Sequence, residues 1–372
     1  VSGKLYSDVL KDIIRNQATV EEAALQAGTW DLNALDPIKA LLLMEHPIDV
    51  VERLEAIVKI VLGRYLSGDV SGAEARRIAE FQREAGLFLK YKSYAIKAAS
   101  PLGFSIFIQS PGQGFSFQQH VTHKTEVFHI LQPLEGALVF LCPYEEWCQC
   151  YEESSFRNWM QGEKDERYDR FAVVPRPGDV FSIDRLSVVH TVIGCILEEY
   201  ATISTDLVDR LYDQNAGKEI PEMFHRVYAQ HRLRNLTYPA RSFLVQSIDG
   251  KPRRTPLAAA SLKGCSRQDL QTKDLAGSLF QIDGKKQTEL HFDKDFAASL
   301  FVGGGRGNVF IGEEREFRNA NPPPIPVSSG DILLIPAGMS YRVTNESADI
   351  LRVSVQRIRV DVAFPPDLDK IS

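Results

Sequence analysis

The sequence predicts a mainly β protein with an α-helical start and two copies of a small β-barrel. Three observations carry this reading. Apolar residues at helical spacing, with capping signals, fill residues 1–93; short alternating strands take over from about Tyr94; and two strand-rich stretches repeat one order of turns and apolar runs.

The helical start is read from its ends and its stripe. Thr19-Val20-Glu21-Glu22 and Ser71-Gly72-Ala73-Glu74 have the capping-box form, a hydroxyl followed three residues on by a carboxylate. Between them Val51, Leu54, Val58, Val61 and Tyr65 recur at helical spacing, and Gly68 follows as a stop. The block carries no catalytic signature. It reads as a helical cap or an oligomerisation element, which leaves a homodimer open.

Residues 94–215 form the first strand-rich unit. "FSIFIQS" alternates apolar and polar residues, and "SPGQG" and "PRPGD" punctuate the strands that follow. Residues 216–240, with "IPEMFHRVYAQHRLRN", read as a helical connector. Residues 241–372 return to short strands. The two units share a plan. "HILQPLEGALVFL … PRPGDVFSIDRLSVVHTV" and "SLFVGGGRGNVFI … VSSGDILLIPAGMSYRVTN" each hold a glycine read as a hairpin turn, an insert, and a Gly-Asp turn into an apolar strand. Such a repeat predicts a duplicated small β-barrel.

Composition removes several function classes. The net charge of −6 argues against nucleic acid as a partner, because phosphate binding needs a basic face. "HRLR" and "KPRR" read as solvated loops. No apolar run reaches the ~18–20 residues of a membrane span. The first residues lack a signal-peptide pattern, and five cysteines, an odd number, fit a reducing compartment; a cytoplasmic address is the expectation. Cys142, Cys148 and Cys150 lack the second pair that a zinc site needs and read as structural thiols.

The stretch "HVTHKTEVFHILQPLEG", followed by Pro177-Gly178-Asp179 and His190, resembles the two motifs of the cupin superfamily. More closely, "TEVFHIL" and "GCILEEYATISTDLVDRLYD" resemble cupins of the D-lyxose isomerase type and those appended to sialic acid synthases. The closer resemblance spans residues 94–215, and the general one runs to about residue 362. It implies two double-stranded β-helix (jelly-roll) barrels. It also implies a divalent transition metal (Mn, Fe, Zn, Ni or Co) held by His120, His123, Glu126 and His190. Imidazole and carboxylate suit such ions, and three protein ligands leave positions for a chelating substrate.

Two features depart from the cupin pattern. His120 and His123 are three apart, so on a strand they face opposite ways unless a bulge separates them. The interval from Glu126 to Gly136 is also long, and an alternative register puts His129 in the glutamate's place. The letter-by-letter match of "EVFHIL" favours Glu126, with Phe128 and Ile130 inward and His129 outward as a structural histidine. A polar core without metal stays open as the alternative. In the second unit Ala298 stands where the carboxylate belongs, Tyr341 stands for the histidine and His291 is alone, so that barrel is expected to hold no metal at the usual place.

Three functions follow as expectations. The first is an aldose–ketose isomerase acting on a small sugar or sugar phosphate, with Glu198, Glu199 and Lys124 as candidate proton-transfer residues and Arg185 and Asp206 as further ones. The second is a non-haem iron dioxygenase built on His120, Glu126 and His190. The third is a non-catalytic carbohydrate-binding or regulatory bicupin. In each the partner is a small molecule, and membranes and nucleic acid are absent.

Overall fold

The computed structural model describes residues 62–363 apart from 64, 69, 87, 93–94, 121–123, 184–186, 203–207, 217–230, 234 and 249–250. The first capping box, most of the helical stripe, most of the connector, His123, Arg185 and Asp206 lie outside the described residues. The second capping box is formed. Ser71 accepts from the Glu74 backbone, and the Glu74 carboxylate accepts from the Ser71 N–H at 2.8 Å, opening helix α1 (Gly72–Ala85).

Among the described residues twenty-one strands follow. The first unit holds β1 (Phe88–Lys92), β2 (Ala95–Ala99), β3 (Phe104–Gln109), β4 (Phe117–His120), β5 (Glu126–Pro143), β6 (Ala172–Val173), β7 (Asp179–Ile183), β8 (Val188–Ala201) and β9 (Val208–Tyr212). Next come β10 (Phe243–Ile248) and β11 (Lys251–Pro256). The second unit holds β12 (Ala258–Leu262), β13 (Cys265–Gln271), β14 (Leu275–Ile282), β15 (His291–Phe292), β16 (Phe296–Gly304) and β17 (Arg306–Gly312). It closes with β18 (Pro324–Ser328), β19 (Ile332–Ile335), β20 (Ser340–Asn345) and β21 (Leu351–Arg359).

The fold is mainly β, with two jelly-roll barrels whose core strands follow one order. In the second, the sheet β12-β13-β14-β21-β16-β19 faces the sheet β15-β20-β17-β18. Phe280, Leu300, Val309, Ile325, Val343 and Val355, drawn from both sheets, fill the core between them. The strands of the first barrel form one continuous eleven-stranded sheet, because β5 and β8 each run through both of its halves. Glu126 to Pro133 pairs with the end of β8, and Leu138 to Pro143 pairs with its beginning. The residues between Pro133 and Leu138 are looped out as a wide bulge, opposite Gly194.

Three sequence expectations are corrected here. Gly136 and Gly305 do not turn hairpins. Gly136, at φ 70°, sits in the bulge that bends β5, and Gly305, at φ 90°, is the corner where β16 leaves one sheet and β17 enters the other. A glycine answers both geometries because each needs a positive φ. Phe88–Lys92, read as helix, is strand β1, paired antiparallel with β2. Phe243–Pro256, read as part of the second barrel, extends the first: β10 pairs parallel with β7, and β11 with β10. This closes the open edge of β7, which would otherwise present unpaired backbone groups.

Helix α1 packs on the second barrel. Ala75 and Ala79 of α1 join the second core, and Arg76 and Arg83 donate to the carbonyls of Ile311 and Pro326. Within the first unit, helices α2 (Tyr144–Cys150), α3 (Glu153–Met160) and α4 (Glu166–Asp169) fill the insert between β5 and β6. Trp147, Phe156, Trp159 and Tyr168 from these helices pack around Phe117 and Phe140. The resulting aromatic cluster backs the wall formed by β4, β5 and β8. Cys142 on β5 and Cys148 and Cys150 on α2 are free thiols, with Cys142 and Cys150 buried.

Candidate metal centre

Strand β4 ends on His120, β5 begins on Glu126, and β8 carries His190 as its third residue. On the ladder His190 pairs with Leu141, fifteen residues along β5 from Glu126, and Glu126 pairs with Ala201 and Ile183. The bend at the bulge folds the two halves of β5 over each other. The Glu126 carboxylate and the His190 ring thereby meet inside the barrel.

The three side chains are buried at 3%, 2% and 0% exposure, out of reach of bulk water. Glu126 Oε2 lies 3.4 Å from His120 Nε2 and 3.5 Å from His190 Nε2, and the His120 and His190 rings meet edge to face at 4.7 Å. One ligand atom from each residue lies within 4.8 Å of the others. Glu126 Oε2, His190 Nε2 and both His120 ring nitrogens have no hydrogen-bond partner among the described residues. Buried polar atoms left this way cost free energy.

A divalent cation satisfies all three residues at once. Ligands held at about 2.1 Å from a common ion stand roughly 3.0–3.5 Å apart, close to the separations to Glu126 Oε2. The His190 tautomer fits as well. Its Nδ1 lies 3.0 Å from the Val188 carbonyl, which can only accept, so in the neutral ring Nδ1 carries the proton and Nε2 keeps its lone pair. Glu126 is held ionised. Burial raises its pKa, but the Lys124 ammonium on Oε1 and the two imidazoles outweigh that and hold it well below the ordinary carboxylate value.

The other candidates divide between the two faces of the β5–β8 ladder. Phe128 pairs with Glu199, and Phe128 belongs to the interior core and lies 6.2 Å from the His190 ring. Glu199, 8% exposed, is therefore on the interior face. His129 pairs with Glu198 on the opposite face, so Glu198 is corrected as a candidate for interior chemistry. Glu198 accepts hydrogen bonds from Tyr200, Tyr238 and Ser354, with His129 Nδ1 at 3.2 Å. His129 Nε2 in turn lies 3.2 Å from the Ser242 hydroxyl. That satisfied setting is the opposite of the one around His120 and His190.

The second barrel aligns on the first through its ladders. Glu126 is opposite Ile183, and Ala298 is opposite Ile335; His190 is in register with Gln118, and Tyr341 with His291. Ala298 and Tyr341 thus occupy the positions of Glu126 and His190, and both belong to an apolar core.

No family model matches the sequence, and no curated protein matches it. Solved structures of similar fold include an oxalate decarboxylase studied for its substrate binding mode and reaction specificity. It is 13% identical, over 73% of this chain and 75% of that one, with a TM-score of 0.46. The 11S globulin from Wrightia tinctoria is 10% identical over 74% and 82%, with a TM-score of 0.47. The oxalate decarboxylase of Lactobacillus farciminis in its formate complex is 10% identical over 73% and 84%, with a TM-score of 0.44. The reading of chemistry therefore rests on the residues themselves. Among the described residues no helix is long and apolar enough to cross a membrane.

Proposed function

We propose that the chain is a metal-dependent enzyme that interconverts the aldose and ketose forms of a small sugar or sugar phosphate. The observation that carries the proposal is the convergence of three buried, unpartnered ligand atoms from His120, Glu126 and His190 in one barrel. The resemblance of "TEVFHIL" to cupins of the D-lyxose isomerase type supplies the reaction class. His123, outside the described residues, is proposed as a fourth ligand.

A divalent ion held there supplies Lewis acidity to adjacent oxygens of an open-chain sugar. The protein does the rest. Lys124 fixes one carboxylate oxygen of Glu126 and leaves the other for the ion. Phe128 walls the site and excludes water. Glu199, on the same interior face, takes the proton from C2 and returns it to C1, while the hydroxyl proton moves from O2 to O1. Atoms and charge balance with no added oxidant or reductant.

The ligand set gives a second reading. Two histidines and one carboxylate are the composition of a non-haem iron oxygenase triad. Anaerobic assay of the metal-loaded protein on open-chain aldoses, ketoses and their phosphates separates the two. Isomerisation should proceed without oxygen, tolerate several divalent metals, and carry solvent deuterium into C1 or C2 of the product. Turnover that requires oxygen and iron would replace this reading with the oxygenase. Tight binding without turnover would replace it with the binding bicupin.

A further inference from the structure

The second barrel has lost its metal ligands, yet it keeps a cavity of about 570 Å³. The cavity opens between the β12–β13 turn and the loop that leads into β15. Five cations line it, Lys263, Arg267, Lys285, Lys286 and Arg342, against a single carboxylate, Glu289. That concentration of positive charge stands out in a chain whose net charge is −6. Some of these cations are partly neutralised or held. Arg267 pairs with Asp269 at 2.8 Å, Lys285 donates to the Glu346 carbonyl, and Arg342 donates to the Asn321 side chain at 2.7 Å. Lys286 lays its stem over the Gly264 turn, at the cavity mouth.

The inner wall differs from the mouth. The buried Phe280 and Cys265 give it apolar surface with His291 beside them, while Leu262, 41% exposed, adds an apolar rim. The His291 ring meets Phe280 edge-on at 5.1 Å and stacks on Tyr341 at 5.1 Å, the residue in the place of His190. Its Nε2 is buried and has no hydrogen-bond partner among the described residues, and the same holds for Arg342 Nε. A polar atom left unpartnered in a walled cavity is a ready contact for a ligand.

We propose that this cavity is a binding site for a small organic anion. Its carboxylate or phosphate would meet Lys286, Arg267 and Arg342, and its apolar body would lie against Phe280 and Leu262 within reach of His291 Nε2. The cations select charge, because ionised partners make the stronger hydrogen bonds. The apolar rim selects an organic body over an inorganic ion, since water displaced from the exposed Leu262 favours carbon in its place. The first barrel would then carry chemistry and the second would carry recognition. This site shares no residue with the metal centre, so neither reading depends on the other.

Calorimetric titration of the full chain tests the proposal, with phenyl phosphate, benzoate and inorganic phosphate as probes at constant ionic strength. Saturable binding of phenyl phosphate or benzoate is expected, tighter than that of inorganic phosphate. Lys286 is exposed, so Lys286→Glu should fold as the parent does and weaken binding by roughly tenfold or more. His190→Ala should bind the probes as the parent does. In NMR spectra the His291 ring signals, assigned with His291→Gln, should move on binding. Four outcomes would overturn the site: no saturable binding, equal affinity in Lys286→Glu, inorganic phosphate bound as tightly as phenyl phosphate, or binding abolished by His190→Ala.

Discussion

His129 and Glu198 face each other across the β5–β8 ladder, imidazole Nδ1 3.2 Å from the carboxylate, on the side that turns away from the first barrel's interior. Both are almost wholly buried, at 1% and 0% exposure. Ser354, which donates to the same carboxylate at 3.2 Å, belongs to the second barrel. The ladders make Ser354 the counterpart of Glu198 itself. The two barrels therefore meet through equivalent strands, and Glu198 is the polar centre of their contact. Tyr238 seals it, with its ring so close to Gly303 that a Cβ there would lie 1.9 Å away.

Removing Glu198 should cost stability rather than metal. Glu198→Ala removes the carboxylate that the buried Tyr200 and Tyr238 hydroxyls donate to, a loss of about 1–3 kcal/mol. Glu198→Gln keeps acceptor capacity and should cost less. Urea denaturation measures both, alongside metal content. A variant that unfolds like the parent but no longer holds metal would move Glu198 into the site.

The Gly178-Asp179 turn carries a buried carboxylate paired with a part-buried arginine. Asp179, 0% exposed, accepts from Arg254 Nε at 2.9 Å and Nη2 at 2.8 Å, and from the Arg176 backbone at 2.8 Å. This bonds β11 to the edge of β7. We expect Asp179→Ala to lose about 2–3 kcal/mol in urea denaturation. Arg254→Lys should also lose stability, because an ammonium cannot reproduce the forked contact. Parental stability in both variants would remove the pair's structural role.

His291 sets a pH dependence. Burial lowers its pKa from 6.5 to about 4, helped by Arg267 and Arg357 and opposed by Asp269, and Tyr341 stacks on its ring. An unfolded chain takes up a proton on this residue near pH 6.5, and the folded chain refuses it until about 4. Stability should therefore fall as pH drops through that window and level off below it. The contribution is at most about 3 kcal/mol, reduced where solvent reaches the ring. His291→Gln should flatten the decline between pH 7 and 4.5. Parallel profiles for variant and parent would show that the ring titrates normally.

The sequence makes the β-barrel repeat and the main site residues legible, because alternation and ligand types are local signals. "EVFHIL" alone separates the inward Glu126 and Phe128 from the outward His129, since side chains alternate along a strand. What stays hidden is non-local. Gly136 looks like a hairpin glycine, and only the ladder reveals a bulge that bends β5 until Glu126 meets His190. The exchange of β10 and β11 onto the first sheet depends on the open edge of β7, which no stretch of sequence displays. The cationic cavity draws residues from 263 to 342 and has no motif.

The central claim is that His120, Glu126 and His190 hold one metal ion while His129 does not. Metal analysis of protein purified without added metal tests it most directly. The parent should carry about one divalent ion per chain. His190→Ala and Glu126→Ala should lose it, each deleting a coordinate bond and leaving the remaining buried donors unpaired. His129→Ala should lose stability and still retain the ion in its folded fraction. Equal metal loss in His129→Ala and His190→Ala, or full retention in His190→Ala, would contradict the claim.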